Sequence, residues 1–287
     1  MKNDFSESCD NPSWDGVEWP LDAMDELARM NEEDDKSSAR PAIILAILLI
    51  LVGVLCVEFG VQTLTWFEAK RWGTATPWLS DVPQALPPAA DDASTGAQVR
   101  AFNYEFNLPW KSPKSAESLT NVQFKYDSGQ VVVFFDPDSQ LDVIHSLKSS
   151  NPTEYQKFAN VFASQPIDSN YALYKGVYEV SPAQLSPIMK VEDARRDNVL
   201  LLWKLSFGPD LQSDTAPAFY SFELGKMRGF QFGDPAKGQP VALRVFDDSN
   251  RQFRFIFTVA YGSGAKITQG DIKMALRSLQ PVPIIDR

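Results

Sequence analysis

Apolar and polar positions divide the chain into four stretches with different rhythms. From Pro41 to Leu64 the residues are almost all apolar, and a helix of that run, at ~1.5 Å per residue, is ~36 Å long against a hydrocarbon core of ~30 Å. The pattern predicts a single transmembrane helix over residues 41–67, with Trp66, Phe67, Trp72, Lys70 and Arg71 forming an interfacial belt at its far end. Residues 1–40 show no sustained period and read as a disordered acidic tail. Residues 68–99 are rich in Pro and Ala, with Pro77, Pro83, Pro87 and Pro88 favouring extended backbone, and read as a linker.

From Arg100 onward the periods are those of a folded domain, residues 100–287. "AFNYEFNLPW" puts Tyr104, Phe106 and Leu108 on one strand face, and "NVQFKYDSGQVVVFFD" turns at Asp127-Ser128-Gly129 into a second apolar strand. Asp136-Pro137 and Asn151-Pro152 each carry the signature of a helix start. Tyr155, Phe158, Ala159 and Phe162 follow the second at helical spacing. Residues 171–185 are expected to be helical, while "NVLLLWKLSF" fits a buried strand or a buried helix equally. "APAFYSFEL", "KMRGFQFG", "PVALRVFD" and "RQFRFIFTVAY" predict an antiparallel meander, closed by a helix that Thr268 caps and that buries Ile272, Ala275, Leu276 and Leu279. The expected fold class is α+β: the transmembrane helix, then an antiparallel sheet packed by helices in an α/β/α sandwich-like arrangement.

The net charge of −10 belongs to the tail. Residues 1–40 hold 12 acids and 4 bases, which leaves residues 41–287 at −2. A near-neutral domain without a basic run has no electrostatic footprint for nucleic acid, which is discarded as a partner. Only Cys9 and Cys56 are present, so residues beyond Val57 hold no disulfide and no thiol ligand. Both candidate sequons, at Asn11 and Asn151, carry the proline that blocks glycosylation, which leaves a bacterial envelope as the expected setting. Arg29, Lys36 and Arg40 before the apolar run outnumber Lys70 and Arg71 after it, favouring a cytoplasmic N-terminus at the inner (plasma) membrane and an extracytoplasmic domain.

Within the apolar run, Glu58 and Gln62 share one helix face while Gly53 and Gly60 share nearly the opposite one. Small residues and an intramembrane acid suit packing against a partner helix or a second copy of the chain, although the plainer account is that Glu58 is protonated or snorkels to the interface and the glycines are scattered by chance. In the tail, Trp14, Trp19, Leu21, Met24 and Leu27 outline a short amphipathic segment, either a docking motif for a cytosolic protein or a helix with nothing to grip.

Chemistry is sparse. The loop "AYGSGAKITQGDI" lies between a strand and a helix, where phosphate loops sit, but Gly264-Ala265-Lys266-Ile267 lacks the Gly-Lys-Ser/Thr order. Asp136, Asp138 and Asp142 are spaced like calcium ligands, yet Leu141 and Leu147 replace the required Gly and Glu, and capping is the better reading. His145 is the only histidine, which excludes the usual zinc sites and leaves no recognisable triad. Arg228 could anchor an anion in a groove. No catalytic residue, metal ligand or cofactor is expected. The strand order, with "YEFNLPW" and "IKMALRSLQP" at its two ends, resembles the Mog1/PsbP-like family over roughly residues 100–285. That resemblance implies a compact α/β/α binding or assembly module, without a catalytic centre. The expected function is a membrane-anchored, non-enzymatic binding module; the alternative is a signalling protein whose outer domain senses and whose tail reports.

Overall fold

Eleven strands and six helices are built from the residues described by this computed structural model, namely residue 60 and residues 62–88, 96–207 and 217–282. All of them belong to one compact unit that begins at Phe59. The helices are α1 (residues 62–75), α2 (Val143–Ser150), α3 (Pro152–Val161), α4 (Asn170–Glu179), α5 (Val191–Phe207) and α6 (Gln269–Ser278). The strands are β1 (Gln84–Ala85), β2 (Ala97–Ala101), β3 (Tyr104–Leu108), β4 (Lys114–Glu117), β5 (Asn121–Lys125), β6 (Gln130–Phe135), β7 (Phe219–Leu224), β8 (Met227–Phe232), β9 (Val241–Phe246), β10 (Gln252–Val259) and β11 (Gln280–Pro281).

Capping chemistry sets where the helices begin. The Asp142 carboxylate accepts from the His145 N–H at the start of α2, the Asn151 side chain from the Glu154 N–H at the start of α3, and Ser169 from the Ala172 N–H at the start of α4. Thr268 and Asp271 satisfy each other's backbone N–H in a capping box that opens α6. Asp136 caps only a short 3-10 turn, Pro137–Ser139, so the helix expected from that point starts later, at Val143. The ambiguous "NVLLLWKLSF" is helical because the polar residues before it complete its stripe. Ala194, Asp197, Leu200, Leu201 and Lys204 are the buried positions of α5, at helical spacing.

An eight-stranded sheet in the order β1-β7-β8-β9-β10-β6-β5-β4 runs through the middle. All its pairings are antiparallel except β1 with β7, which is parallel. The central β9 is buried throughout, so its two faces can be read directly. Val241, Leu243 and Val245 join Phe134, Phe253, Phe255 and Phe257 in one core. Ala242 and Phe246 join Phe230, Phe232, Tyr174 and Tyr178 in the other. Helices cover the second face. The first is covered by α6 and a separate three-stranded sheet, β11-β3-β2.

That layer differs from the expected α/β/α sandwich. The β2–β3 hairpin forms its own layer because Phe106 sits edge-on to Phe124 and Phe255, and Tyr104 edge-on to Phe253, across the interface from the large sheet. Even Glu105, on the opposite side of the strand, is buried, accepting from Arg100 Nε at 3.1 Å and Gln280 Nε2 at 2.8 Å.

The expected transmembrane helix is corrected. Among the described residues, no helix is long and apolar enough to cross a membrane. Where residues 62–67 are described, they belong to α1, which continues through Glu68, Lys70 and Arg71 and packs Trp66 and Ala69 into the helical core. Trp66 therefore serves the domain interior while Leu64 and Phe67 stand exposed. Residues 41–59 lie outside the described residues. The stretch expected as a linker also carries tertiary structure: Leu79, in the 3-10 turn Pro77–Ser80, is fully buried, and Gln84 and Ala85 pair with Tyr220 and Ser221.

Candidate functional site

A cleft of about 580 Å³ opens at one end of the large sheet. Its walls come from five separated stretches: the extended Leu86-Pro87-Pro88, Tyr220 at the start of β7, residues 234–240 between β8 and β9, Thr258 and Val259 at the end of β10, and residues 265–269 leading into α6. Leu86, Ile267, Val259 and four prolines make the surface largely apolar.

The position of the first wall follows from backbone chemistry. Leu86 donates its N–H to the Ser221 carbonyl at 3.0 Å, extending the short parallel pairing of β1 with β7. Pro87 and Pro88 have no N–H to donate, so the ladder stops and the chain leaves the sheet as a partition. A smaller hollow of about 230 Å³, lined by Phe222, Leu224 and Leu276, lies against the same three residues.

The wall between β8 and β9 is held by Asp234. Its Oδ1 accepts from the Ala236 N–H at 2.9 Å, capping the 3-10 turn Pro235–Lys237, and its Oδ2 accepts from the Tyr220 hydroxyl at 3.3 Å and faces Lys237 Nζ at 3.6 Å. The Gln239 side chain returns to accept from the Asp234 N–H at 3.0 Å. Burial first, and then the Asp234 charge, push the Tyr220 phenol above its ordinary range, so it stays a protonated donor. At the α6 side, Gln231 is fully buried and exchanges two amide hydrogen bonds of 2.9 Å with Gln269, pinning the start of the helix to β8.

These groups satisfy one another. Among the described residues lining the cleft there is no histidine or cysteine, and the lining carboxylate is already engaged. The Thr268 hydroxyl is taken up by the capping box, accepting from the Asp271 N–H at 3.2 Å. The lining is thus a mostly apolar surface with its polar groups concentrated around Asp234.

Of the stretches singled out from sequence, the glycine-containing loop reaches the cleft through Ala265, Lys266 and Ile267, whereas the candidate groove residue Arg228 and the described candidate membrane contacts Gly60 and Gln62 do not line it. Arg228 lies on β8, its guanidinium 4.1 Å from the Tyr171 ring centre, with a 2.7 Å bond to Asn250 Oδ1. That stacked, bonded position ties the sheet to α4. Gln62 is buried in α1, its Oε1 without a partner among the described residues, and Gly60 has open space around it. Gly53, Glu58, Trp14, Trp19, Leu21, Met24 and Leu27 fall outside the described residues. Asp136 and Asp142 serve as caps, and His145 is exposed on α2.

The site residues that no sequence pattern marks are Tyr220, Asp234 and Gln239, which come together only through the fold. Lys266 carries one signal, the glycine-containing loop before α6, which lies where phosphate loops sit without having their residue order. No family model matches the chain and no curated protein matches it, so the Mog1/PsbP-like resemblance brings no functional residue to this cleft.

Proposed function

We propose that the domain is a non-enzymatic binding module that takes its ligand into the cleft between residues 86–88, 234–240 and 265–269. The observation that carries this reading is a preformed apolar hollow of about 580 Å³ whose wall between β8 and β9 is held by hydrogen bonds among Tyr220, Asp234, Ala236 and Gln239. A guest there displaces water from apolar walls without breaking the network that shapes them. Hollows of ~300–1,000 Å³ suit a drug-sized molecule or the side chains of a short peptide segment.

Ala236 is exposed, on the 3-10 turn, and lines the cleft. Ala236→Trp places an indole where the guest would sit. With the neutral apolar probe N-phenyl-1-naphthylamine, the full chain is expected to lose about tenfold or more in affinity on this change, roughly 1.4 kcal/mol, with an unaltered melting temperature. Equal affinity of the two chains in a fluorescence titration would remove the cleft as the binding site.

A further inference from the structure

We infer that the ligand of this cleft is an apolar molecule bearing one negative charge, a reading that rests on the cleft being the binding site. Two charged residues line it, Asp234 and Lys266. Asp234 is spent on the Ala236 N–H, the Tyr220 hydroxyl and Lys237. Lys266 is different. It stands exposed in the loop before α6, and its ammonium meets no carboxylate or acceptor among the described residues, whereas its backbone carbonyl is held by Gln130 Nε2 at 3.3 Å.

The loop is therefore fixed while the side chain it carries is uncommitted. Two other charged side chains close to this rim are engaged locally: Lys237 faces Asp234 at 3.6 Å, and the Asp271 carboxylate accepts from the Thr268 N–H at 2.7 Å. A neutral guest would leave Lys266 without a role and a cation would be repelled by it. A dianion would bring more charge than Lys266 can match. One carboxylate or sulfonate on an apolar body fits both the walls and the rim.

A matched pair of probes separates these contributions: 8-anilinonaphthalene-1-sulfonate and N-phenyl-1-naphthylamine share one skeleton and differ by the sulfonate. Each is titrated into the full chain, Ala236→Trp and Lys266→Glu at low salt, and uptake that survives Ala236→Trp is subtracted as binding elsewhere. The sulfonate is expected to bind the cleft about threefold more tightly than the neutral probe, as suits one exposed ion pair. Lys266→Glu should weaken the sulfonate about tenfold by turning attraction into repulsion, leave the neutral probe unchanged, and lose its effect as salt screens the rim. Equal response of both probes to Lys266→Glu, with both still lost in Ala236→Trp, overturns the anionic ligand and leaves the cleft standing. Indifference of both probes to Ala236→Trp overturns the cleft itself, and the anionic ligand with it.

Discussion

Replacing Lys204 with methionine is expected to lower the stability of the domain by about 3 kcal/mol at pH 7, because three carbonyls, two of them in buried bonds, lose their donor at about 1 kcal/mol apiece. Lys204 lies on α5 with only 1% of its surface exposed. Its ammonium donates to the carbonyls of Asp81 at 2.7 Å, Val180 at 2.8 Å and Tyr178 at 3.3 Å. Those acceptors belong to different parts of the chain. Asp81 closes the 3-10 turn that follows α1, while Tyr178 and Val180 lie at the end of α4, where the last carbonyls of a helix have no partner of their own. One side chain thus ties three segments together, and methionine keeps the stem's packing while removing the donors. Urea unfolding measures the loss. A change below about 0.5 kcal/mol would mean that water serves those carbonyls in place of the ammonium.

The same group gives the stability a pH dependence of a definite sign. Burial pushes the Lys204 ammonium down from 10.5 to about 8, with the Asp81 charge acting against it. Between those two values the unfolded chain holds a proton that the folded chain has released, so the Lys204 contribution grows as pH rises through that window. The gap between wild type and Lys204→Met should widen from pH 7 to pH 10 by up to about 3 kcal/mol. A gap that narrows would contradict it.

Gly229→Ala is expected to cost more than about 3 kcal/mol, or to prevent folding, for reasons of backbone sterics alone. Gly229 pairs with Phe222 on β7 and Val245 on β9, in the interior of the large sheet. A Cβ at this position would stand inside the van der Waals shell of the Arg244 carbonyl oxygen, with the Val245 Cα close behind. Backbone atoms cannot swing aside, and with a strand on each side the sheet has no free edge toward which β8 can yield. Gly225 supplies the comparison. It sits in the turn between β7 and β8 at a φ of 62° with nothing near its Cβ position, so alanine there costs only the left-handed conformation, roughly 1–2 kcal/mol. Thermal unfolding of the two variants should rank them far apart. If Gly225→Ala proved the more damaging, the close approach at β8 and β9 would not be what demands glycine.

Local chemistry makes much of the domain legible in its amino-acid order. Asp142, Asn151 and Thr268 cap α2, α3 and α6 through bonds that reach three residues along the chain, a range at which sequence is informative. The β5–β6 hairpin alternates strictly in burial, and the β7–β10 meander reads as apolar runs bounded by turn residues. Where the pattern is silent, the elements are short or exposed. All four residues of β4 are exposed, and β1 is a two-residue strand inside a proline-rich stretch. The apolar run misleads at its end: Trp66 reads as part of a membrane-boundary belt, and in α1 it packs against a core instead. Hydrophobicity states that a side chain leaves water without stating what receives it.

The amino-acid sequence by itself determined the starts of α3 and α6, the meander and the acidic character of residues 1–40, because each depends on neighbours within a few positions or on composition. Tertiary structure alone decided that Ala85 lies beside Ser221, that the β2–β3 hairpin forms its own layer, that Lys204 binds carbonyls from residues 81, 178 and 180, and that Leu86, Tyr220, Asp234, Thr258 and Lys266 surround one hollow. The physical reason is the same for all four. Such contacts close long loops of chain, and their free energy is settled by the packing of the whole core rather than by any segment's own preference.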